Sequence, residues 1–297
     1  MIDETAEEIR EMRTHSSSVV AVKAAHALRD LLDGDYPSVE EYLRTLERNS
    51  NALRRANPSH ASLVTTQRDI VESVEAADPE TVAEAQEALR DAIDRVVDEV
   101  ERGKHAAARN AADEIEDGAT LLTHDYSSTV LEALELAAQE GKHLDVYCTE
   151  ARPRHLGRKT ARQLGEIDRI EPTLIVDSAA GHYLSEAVDK VLIGMDCIVD
   201  GTLYNRVGTY PLASTAADAD VPVTVTGSSA KIVEEGGFRF ENDFRTVSEV
   251  IREPPEGFDV ANPAYDATPT GLVDRVVTDD GVRDDVSTSR VPVLCRA

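Results

Sequence analysis

Two acidic residues of this chain are placed where acid–base chemistry could use them. Asp125 follows an apolar run at residues 120–123, and Asp196 comes shortly after another run at residues 191–193. If both runs are parallel strands of one sheet, the two carboxylates lie at the edge where open α/β sheets bind small ligands. Neighbouring carboxylates push one pKa upward, which suits proton transfer. The sequence therefore predicts that Asp125 and Asp196 are catalytic; the alternative is that Asp196 only caps the next helix.

Groups that bind anions follow other apolar runs of the same region. Arg152 comes after the run at residues 144–148, and Lys231 comes after the run at residues 221–225. Ser127 is placed to cap the next predicted helix, and helix N-termini attract anions. Together these residues favour a phosphate-bearing ligand. Each also has a plainer interpretation, because Arg152 could pair with surface acids and Ser127 could be a cap alone.

The elements that must position these residues fall into two regions that meet near Gly118. Residues 1–118 have apolar side chains at helical spacing, a capping box at Ser38, and an expected helix N-cap at Asp78. From residue 119 onward, short β-branched runs alternate with helical patterns, which indicates a doubly wound, mostly parallel sheet. The predicted fold class is therefore α/β, with a helical domain at 1–118 followed by a ligand-binding domain at 119–297. Predicted strands are 120–123, 144–148, 173–176, 191–193, 221–225 and 275–278, with helices at 127–139, 159–164, 182–188 and 210–217.

The charge of the chain is strongly negative. It has 57 Asp and Glu residues against 31 Lys and Arg residues, a formal net charge of −26 at pH 7. Such a surface repels itself in dilute buffer, whereas at molar salt the Debye length falls to about 3 Å and the repulsion largely disappears. We therefore predict a halophilic protein of a salt-rich cytoplasm; the alternative is an acidic protein of an ordinary cytoplasm. The absence of a basic stripe argues against binding to duplex DNA.

The sequence contains no pattern that binds a metal ion or a familiar cofactor. Cys148, Cys197 and Cys295 are scattered and form no C-x-x-C pair, which argues against a disulfide framework and against a zinc site. Neither a G-x-G-x-x-G fingerprint nor a P-loop is present. We therefore expect no metal and no cofactor. We also expect no membrane segment, because no apolar run approaches 18 residues and the first residues do not resemble a signal peptide. These features predict a cytoplasmic location.

Three motifs carry a resemblance to a known superfamily. They are Glu150-Ala151-Arg152-Pro153 with Gly157, Thr160 and Ala161; Gly194-Met195-Asp196 through Asn205-Arg206-Val207-Gly208-Thr209-Tyr210; and Asn262-Pro263-Ala264-Tyr265-Asp266-Ala267-Thr268-Pro269. By these motifs the chain resembles, over nearly its whole length, one particular superfamily. Its members are the alpha, beta and delta regulatory subunits of translation initiation factor two-B, ribose-1,5-bisphosphate isomerase and methylthioribose-1-phosphate isomerase.

The resemblance implies a fold, an assembly and a chemistry. The fold is a helical N-terminal domain on a Rossmann-like C-terminal domain, and the assembly is a homo-oligomer, either a dimer or a hexamer. The superfamily's isomerases convert a phosphorylated ribose from aldose to ketose with a cysteine and an aspartate, and the aspartate matches Asp196. Their substrate-phosphate contacts match Ser127, Asn205, Arg206 and Lys231, with Arg206 a lysine in the usual pattern. The regulatory members imply translation-factor partners.

The chain departs from the superfamily in three places. The usual Thr-His-Cys reads Thr123-His124-Asp125, so the catalytic thiol is absent. The Arg-Gly-Ala phosphate loop is replaced around Arg13-Thr14-His15-Ser16-Ser17, and an Arg-Pro of the helical domain reads Asn57-Pro58. An aspartate is usually ionised at pH 7, whereas a thiol is neutral, so the first change places a second carboxylate beside Asp196. Three such losses are hard to reconcile with unchanged isomerase chemistry.

The sequence therefore predicts an initiation-factor-two-B-like regulatory or binding protein. It would have a sugar-phosphate or nucleotide pocket and lack the usual isomerase activity. The alternative is an aldose–ketose isomerase, an intramolecular oxidoreductase acting on a phosphorylated ribose such as ribose-1,5-bisphosphate. In that enzyme Asp125 would be the acid and Asp196 the base. Arg206 and Lys231 would hold phosphate, and Arg152 would shape the pocket. A third hypothesis is a scaffold without any ligand.

Overall fold

The computed structural model describes residues 2–11, 16–233, 240–254 and 256–284. The chain folds into two compact units, and the boundary between them along the chain lies inside one long helix. The first contains the chain up to Lys104, and the second begins at His105, apart from a short segment near residue 240 that belongs to the first. Arg13 and Cys295, which the sequence analysis singles out, lie outside the described residues.

The first unit is helical, as the apolar spacing predicts. Its helices are α1 (Ile2–Arg10), α2 (Ser17–Ala27), α3 (Val39–Ala56), α4 (Ala61–Ala76) and the first part of α5 (Val82–Asp113). Ser38 caps α3, since its side chain accepts a hydrogen bond from the backbone N–H of Glu41. Tyr42, Leu46 and Leu53 of α3 follow at helical spacing and are fully buried. The buried stripe of α3 thus forms part of this unit's apolar core.

The start of α5 differs from the expected N-cap at Asp78. The helix begins at Val82, and the hydroxyl of Thr81 accepts a hydrogen bond from the backbone N–H of Glu84 at 3.2 Å. Asp78 instead follows the C-terminal end of α4, and its φ of 46° lies in the left-handed region. A threonine three residues before an acidic residue is an equally good start signal, and the pairing of Asp78 with Pro79 concealed it.

The second unit is built on two sheets. Its strands are β1 (Thr120–His124), β2 (Leu144–Thr149), β3 (Ile170–Ile175), β4 (Lys190–Gly194), β5 (Cys197–Val199), β6 (Thr202–Arg206), β7 (Val223–Thr226), β8 (Ile232–Val233), β9 (Tyr265–Pro269), β10 (Arg275–Thr278) and β11 (Gly281–Arg283). Its further helices are α6 (Ser128–Gln139), α7 (Gly157–Leu164), α8 (Ala180–Glu186) and α9 (Thr209–Asp218).

The larger sheet has the order β11-β10-β7-β4-β1-β2-β3. Its neighbouring strands are parallel except for the pair β10 and β11. The predicted α/β class and mostly parallel sheet are confirmed, and a strand is present at each of the six predicted places. The central strand β4 buries Val191, Leu192 and Ile193, as a strand covered on both faces must.

The smaller sheet, in the order β8-β5-β6-β9, has no counterpart in the prediction. Residues 197–206 read as a turn followed by a polar pair, but they form two antiparallel strands joined at Gly201. The partner strand β9 lies about sixty residues further along the chain, and Arg206 pairs with Tyr265 across it. Pairings of such long sequence separation leave little local signal, because each strand is short and only partly apolar.

Candidate functional site

The predicted acids meet at the carboxyl edge of the larger sheet. Asp125 directly follows β1, and Asp196 comes two residues after β4 ends at Gly194. The strands β1 and β4 are adjacent and parallel, so the residues that follow them converge. Both residues are buried, with 4% of Asp125 and 7% of Asp196 exposed. The sequence-based placement of these two residues at one edge therefore agrees with the structure.

An arginine stands between the two carboxylates. The Nε atom of Arg206 lies 3.1 Å from Oδ2 of Asp125 and 3.9 Å from Oδ2 of Asp196. All three side chains are nearly inaccessible to solvent. A buried cation between two buried acids offsets their mutual repulsion. The site is thus a carboxylate–guanidinium–carboxylate cluster, which we call the ion cluster, rather than a facing pair of acids.

Asp125 has an unusual environment within the ion cluster. Its φ of 60° lies in the left-handed region, which non-glycine residues adopt rarely. Its carbonyl oxygen accepts a hydrogen bond from Oγ1 of Thr160 at 2.7 Å, and its Oδ1 is buried without a hydrogen-bond partner among the described residues. Burial raises the pKa of Asp125, while the charge of Arg206 opposes that rise. The carboxylate is therefore harder to ionise than that of an ordinary aspartate.

The position of Arg206 depends on the smaller sheet. Arg206 ends β6 and lies over the ring of Tyr265 in β9, with its guanidinium carbon 4.8 Å from the ring centre. A guanidinium over an aromatic face gains a cation–π attraction. Burial also raises the pKa of the Tyr265 hydroxyl, so it stays neutral. The larger sheet thus positions the two acids of the ion cluster, and the smaller sheet positions the arginine cation that lies between them.

Lys231 and Asn205 lie beside the ion cluster and have partners within the protein. The ammonium group of Lys231 is buried and donates to the backbone carbonyl of Met195 at 2.9 Å, next to Asp196. The amide of Asn205 donates to Oγ1 of Thr209 at 3.1 Å, at the start of α9. Both residues are therefore fixed in place at this edge of the sheet.

Ser127 caps α6, as predicted. Its hydroxyl accepts a hydrogen bond from the backbone N–H of Val130 at 3.3 Å. Gly194, at the end of β4, allows this close approach, because a Cβ atom there would come 2.4 Å from the hydroxyl oxygen of Ser127. The N-terminus of α6 is thereby held against β4, near Asp196.

Arg152 differs from the other predicted ligand-binding residues. Its side chain is 55% exposed, and its Nε lies 3.3 Å from Oε1 of Glu150. Glu150 also pairs with Arg158 at 2.8 Å, and chiefly this hydrogen bond lowers the pKa of Glu150. The plainer interpretation of Arg152, pairing with an acid near the surface, fits these contacts.

Neither described cysteine is a reactive thiol. Cys148 and Cys197 are both free and fully buried. Burial raises the pKa of Cys148 to about 12, and burial together with the charge of Asp196 raises the pKa of Cys197. Because the thiolate is the reactive form, both side chains are inert at neutral pH.

His124 is a structural residue of the site. One ring nitrogen lies 2.7 Å from Oγ1 of Thr149, and the other lies 2.9 Å from the carbonyl oxygen of Val207. Both nitrogens are thus engaged, which agrees with the plainer interpretation of this histidine. The ring also lines a pocket of about 360 Å³ whose other walls include Asp177, Gly208 and Leu212. Gly208 approaches the ring so closely that a Cβ atom would come 2.5 Å from Cε1.

Two carboxylates outside the ion cluster fix the loops around it. Asp177 accepts hydrogen bonds from the backbone N–H groups of Ala151, at 2.7 Å, and Arg152, at 3.1 Å. Asp266 accepts from the N–H groups of Gly208, at 2.7 Å, and Tyr210, at 3.0 Å. Asp266 thereby caps α9 from another strand, a role that its place in the sequence did not indicate.

Two further arginines, Arg154 and Arg245, lie in this neighbourhood, and sequence analysis missed Arg245. The pKa of Arg154 is lowered by burial first, and then by the neighbouring charges of Arg245 and Arg206. The local signal for Arg154 was its place two residues after Arg152 in the strand-end loop. Arg245 had no such signal, because it lies in an irregular segment between β8 and β9.

The described residues contain neither a metal-binding cluster nor a membrane-spanning helix. In the described ranges, no group of three or more His, Cys, Asp and Glu side chains is arranged to hold a metal ion. Within that same part of the chain, no helix combines the length and the apolar character needed to cross a bilayer.

The sequence profile of the initiation factor 2 subunit family (IF-2B) matches residues 13–284. The chain belongs to this family. It is 32% identical over 285 residues to a ribose 1,5-bisphosphate isomerase of Haloferax volcanii, covering 93% of this chain and 87% of that protein. It is 27% identical to a methylthioribose-1-phosphate isomerase of Acetivibrio thermocellus, covering 94% of this chain and 87% of that protein.

A solved IF-2B structure has the same fold. The translation initiation factor eIF-2B of Pyrococcus horikoshii superposes with a TM-score of 0.81 at 25% identity, over 95% of this chain and 96% of that chain. The family resemblance drawn from the three sequence motifs is therefore confirmed. The family contains proteins named as isomerases and proteins named as initiation factors, so the site must decide between them.

Proposed function

We propose that this chain is a regulatory, ligand-binding member of the IF-2B family that holds a phosphorylated sugar or nucleotide without isomerising it. The observation that supports this most is the ion pair of Asp125 with Arg206. The superfamily resemblance implies a thiol where Asp125 stands, and it implies that the side chain matching Arg206 holds substrate phosphate. A carboxylate 3.1 Å from that guanidinium competes with a phosphate for the same donors.

The remaining cysteines strengthen this proposal. Cys148 and Cys197 are buried, and their raised pKa values keep them as neutral thiols. Neither can take over the part of the missing cysteine. A protein of this kind would bind its ligand and transmit the bound state to a partner.

An assembly of identical subunits, with a translation-factor partner, is part of the proposal. β3 is one of the two edge strands of the larger sheet; Leu174, near its end, is 47% exposed, and Val176, just beyond it, is 52% exposed. Residues two apart on a strand point to the same face, so these apolar side chains share one exposed face. Exposed apolar side chains on an edge strand suit an interface between subunits. Light scattering in molar KCl measures the mass and separates a dimer from a hexamer.

An isomerase is the second candidate, and one property of the site favours it. Burial raises the pKa of Asp125, which favours its protonated form, and a protonated carboxyl group can donate its proton to a substrate. The name of the Haloferax volcanii relative supports the same candidate. In that enzyme Asp125 is the acid and Asp196 is the base.

Proton NMR distinguishes the two candidates. The full chain is mixed in molar KCl with ribose-1,5-bisphosphate, and then with other phosphopentoses. We expect saturation transfer from the protein to the sugar and no growth of ketose signals. Ketose signals that grow with the wild-type protein and vanish with Asp125→Asn would contradict the proposal and establish the isomerase. Exposed Asp145→Asn, on β2, is the matched control.

A further inference from the structure

Two arginines beside the ion cluster come from distant parts of the second unit. Arg154 lies in the loop after β2, where its backbone N–H donates to Oε2 of Glu249 at 2.8 Å. Arg245 lies in the segment before Glu249, and its backbone N–H donates to the carbonyl of Asn262 at 2.8 Å. The contact between Arg154 and Glu249 therefore fastens the segment that contains Arg245 against the strand-end loop.

Both guanidinium groups have a buried nitrogen that the described residues do not satisfy. Nη1 of Arg154 and Nε of Arg245 are buried and have no hydrogen-bond partner. A buried donor without a partner costs free energy, and more so when it carries charge. Such atoms are rare in native proteins, and each one needs a physical reason.

The acids of the neighbourhood are already engaged. Asp243 lies 3.3 Å from Nη1 of Arg245, and the carboxylate of Glu249 accepts the backbone N–H of Arg154. Asp125 binds Arg206. The charges of Arg245 and Arg206 also add to burial in lowering the pKa of Arg154, so the three cations are close enough to repel one another. The engaged acids leave Nη1 of Arg154 and Nε of Arg245 without an acceptor among the described residues.

We propose that Arg154 and Arg245 form an anion subsite for a phosphoryl group of the ligand, next to the ion cluster. Guanidinium groups bind phosphate with paired, parallel hydrogen bonds, and a dianion between two of them supplies acceptors for the unsatisfied nitrogens. This inference rests on the proposed function and deepens it. It places the phosphate on Nη1 of Arg154 and on Nε of Arg245, whose Nη1 pairs with Asp243, rather than on Arg206, which Asp125 holds.

Calorimetry with potassium pyrophosphate tests the subsite on the full chain in molar KCl. The variants are Arg154→Gln and Arg245→Gln, and the matched control is Arg252→Gln, which removes an exposed arginine from the same segment. We expect each of the first two changes to weaken binding about tenfold or more, because each removes charge-assisted hydrogen bonds. The control should bind as the wild type does.

Thermal unfolding without ligand shows whether each variant is folded. Each change removes a partly buried guanidinium that has one unsatisfied nitrogen, so the melting temperature should change little, and its increase with pyrophosphate should shrink. Equal affinity of wild type and both variants overturns the subsite, as does an absence of binding at millimolar pyrophosphate or an equal loss in the control. Pyrophosphate has no carbonyl to isomerise, so this result is independent of the ketose signals that test the proposed function.

Discussion

Asp125 and Arg206 form a buried ion pair across two sheets, with Nε of the arginine 3.1 Å from Oδ2 of the aspartate. The pair is asymmetric in its surroundings. Arg206 has Asp196 and the ring of Tyr265 as additional neighbours, whereas Oδ1 of Asp125 has no hydrogen-bond partner among the described residues. Removing one member therefore has a different cost from removing the other.

Loss of the arginine should be the more damaging change. Arg206→Gln leaves the carboxylates of Asp125 and Asp196 buried without their cation, which typically costs roughly 3 to 5 kcal/mol of the free energy of unfolding. Asp125→Asn removes a carboxylate whose charged form burial already disfavours. Arg206 still lies beside Asp196 in this variant, so the free energy of unfolding should stay the same or rise slightly. Urea unfolding in molar KCl measures both variants. In the double variant, part of the loss should be recovered; a double variant as unstable as Arg206→Gln would contradict the pairing.

The contribution of Asp125 to stability should depend on pH. Its pKa in the folded protein is raised from the ordinary value of 3.8, so the folded state holds the proton more tightly than the unfolded chain does. This contribution is fully present below pH 3.8 and is lost as the pH rises through the raised pKa. The wild type should therefore lose free energy of unfolding relative to Asp125→Asn as the pH rises above about 4. Unfolding curves of both proteins from pH 4 to 8 measure that difference. A difference that is flat, or that grows in favour of the wild type, would show that Arg206 outweighs burial.

Gly208 should tolerate no side chain. Its φ is 108°, and a Cβ atom would come 2.5 Å from Cε1 of His124. Gly257 is a matched control, because its φ is 106° and no atom lies within 4 Å of the built Cβ. Gly257→Ala should cost only the backbone strain, about 1 to 3 kcal/mol. Gly208→Ala should cost more, and it should also displace the His124 ring, which NMR of the imidazole protons detects. Equal costs at the two positions would mean that the ring moves aside freely.

The stability of the whole chain should rise steeply with salt. The net charge of −26 repels itself most in dilute buffer, and raising KCl from 0.1 M to 1 M shortens the Debye length from about 10 Å to about 3 Å. We expect the melting temperature to increase over this range and to increase further towards saturation. A neutral osmolyte at matched osmolality is the control, since it does not screen charge. A melting temperature insensitive to KCl would indicate an acidic protein of ordinary cytoplasm.

Local patterns were sufficient for much of this protein. Apolar runs bounded by turn residues predicted the six strands of the larger sheet that carry or flank the site, because buried parallel strands read as continuous apolar runs. Parallel strand ends share an edge, so the convergence of Asp125, Asp196 and Lys231 followed from the order of elements. The family to which the chain belongs was also visible in the sequence. That Asp125 stands in place of a catalytic cysteine stays a prediction from the resemblance.

Only the tertiary structure decided which side chains of the site contact one another. The smaller sheet pairs β6 with β9, which lies about sixty residues later, and this pairing brings Arg206 between the two acids over Tyr265. It also left Arg152 exposed beside Glu150 and placed Arg245 near Arg154. Contacts of this kind depend on long-range pairing of short strands and irregular segments, where neither periodicity nor spacing along the chain records which side chains will meet.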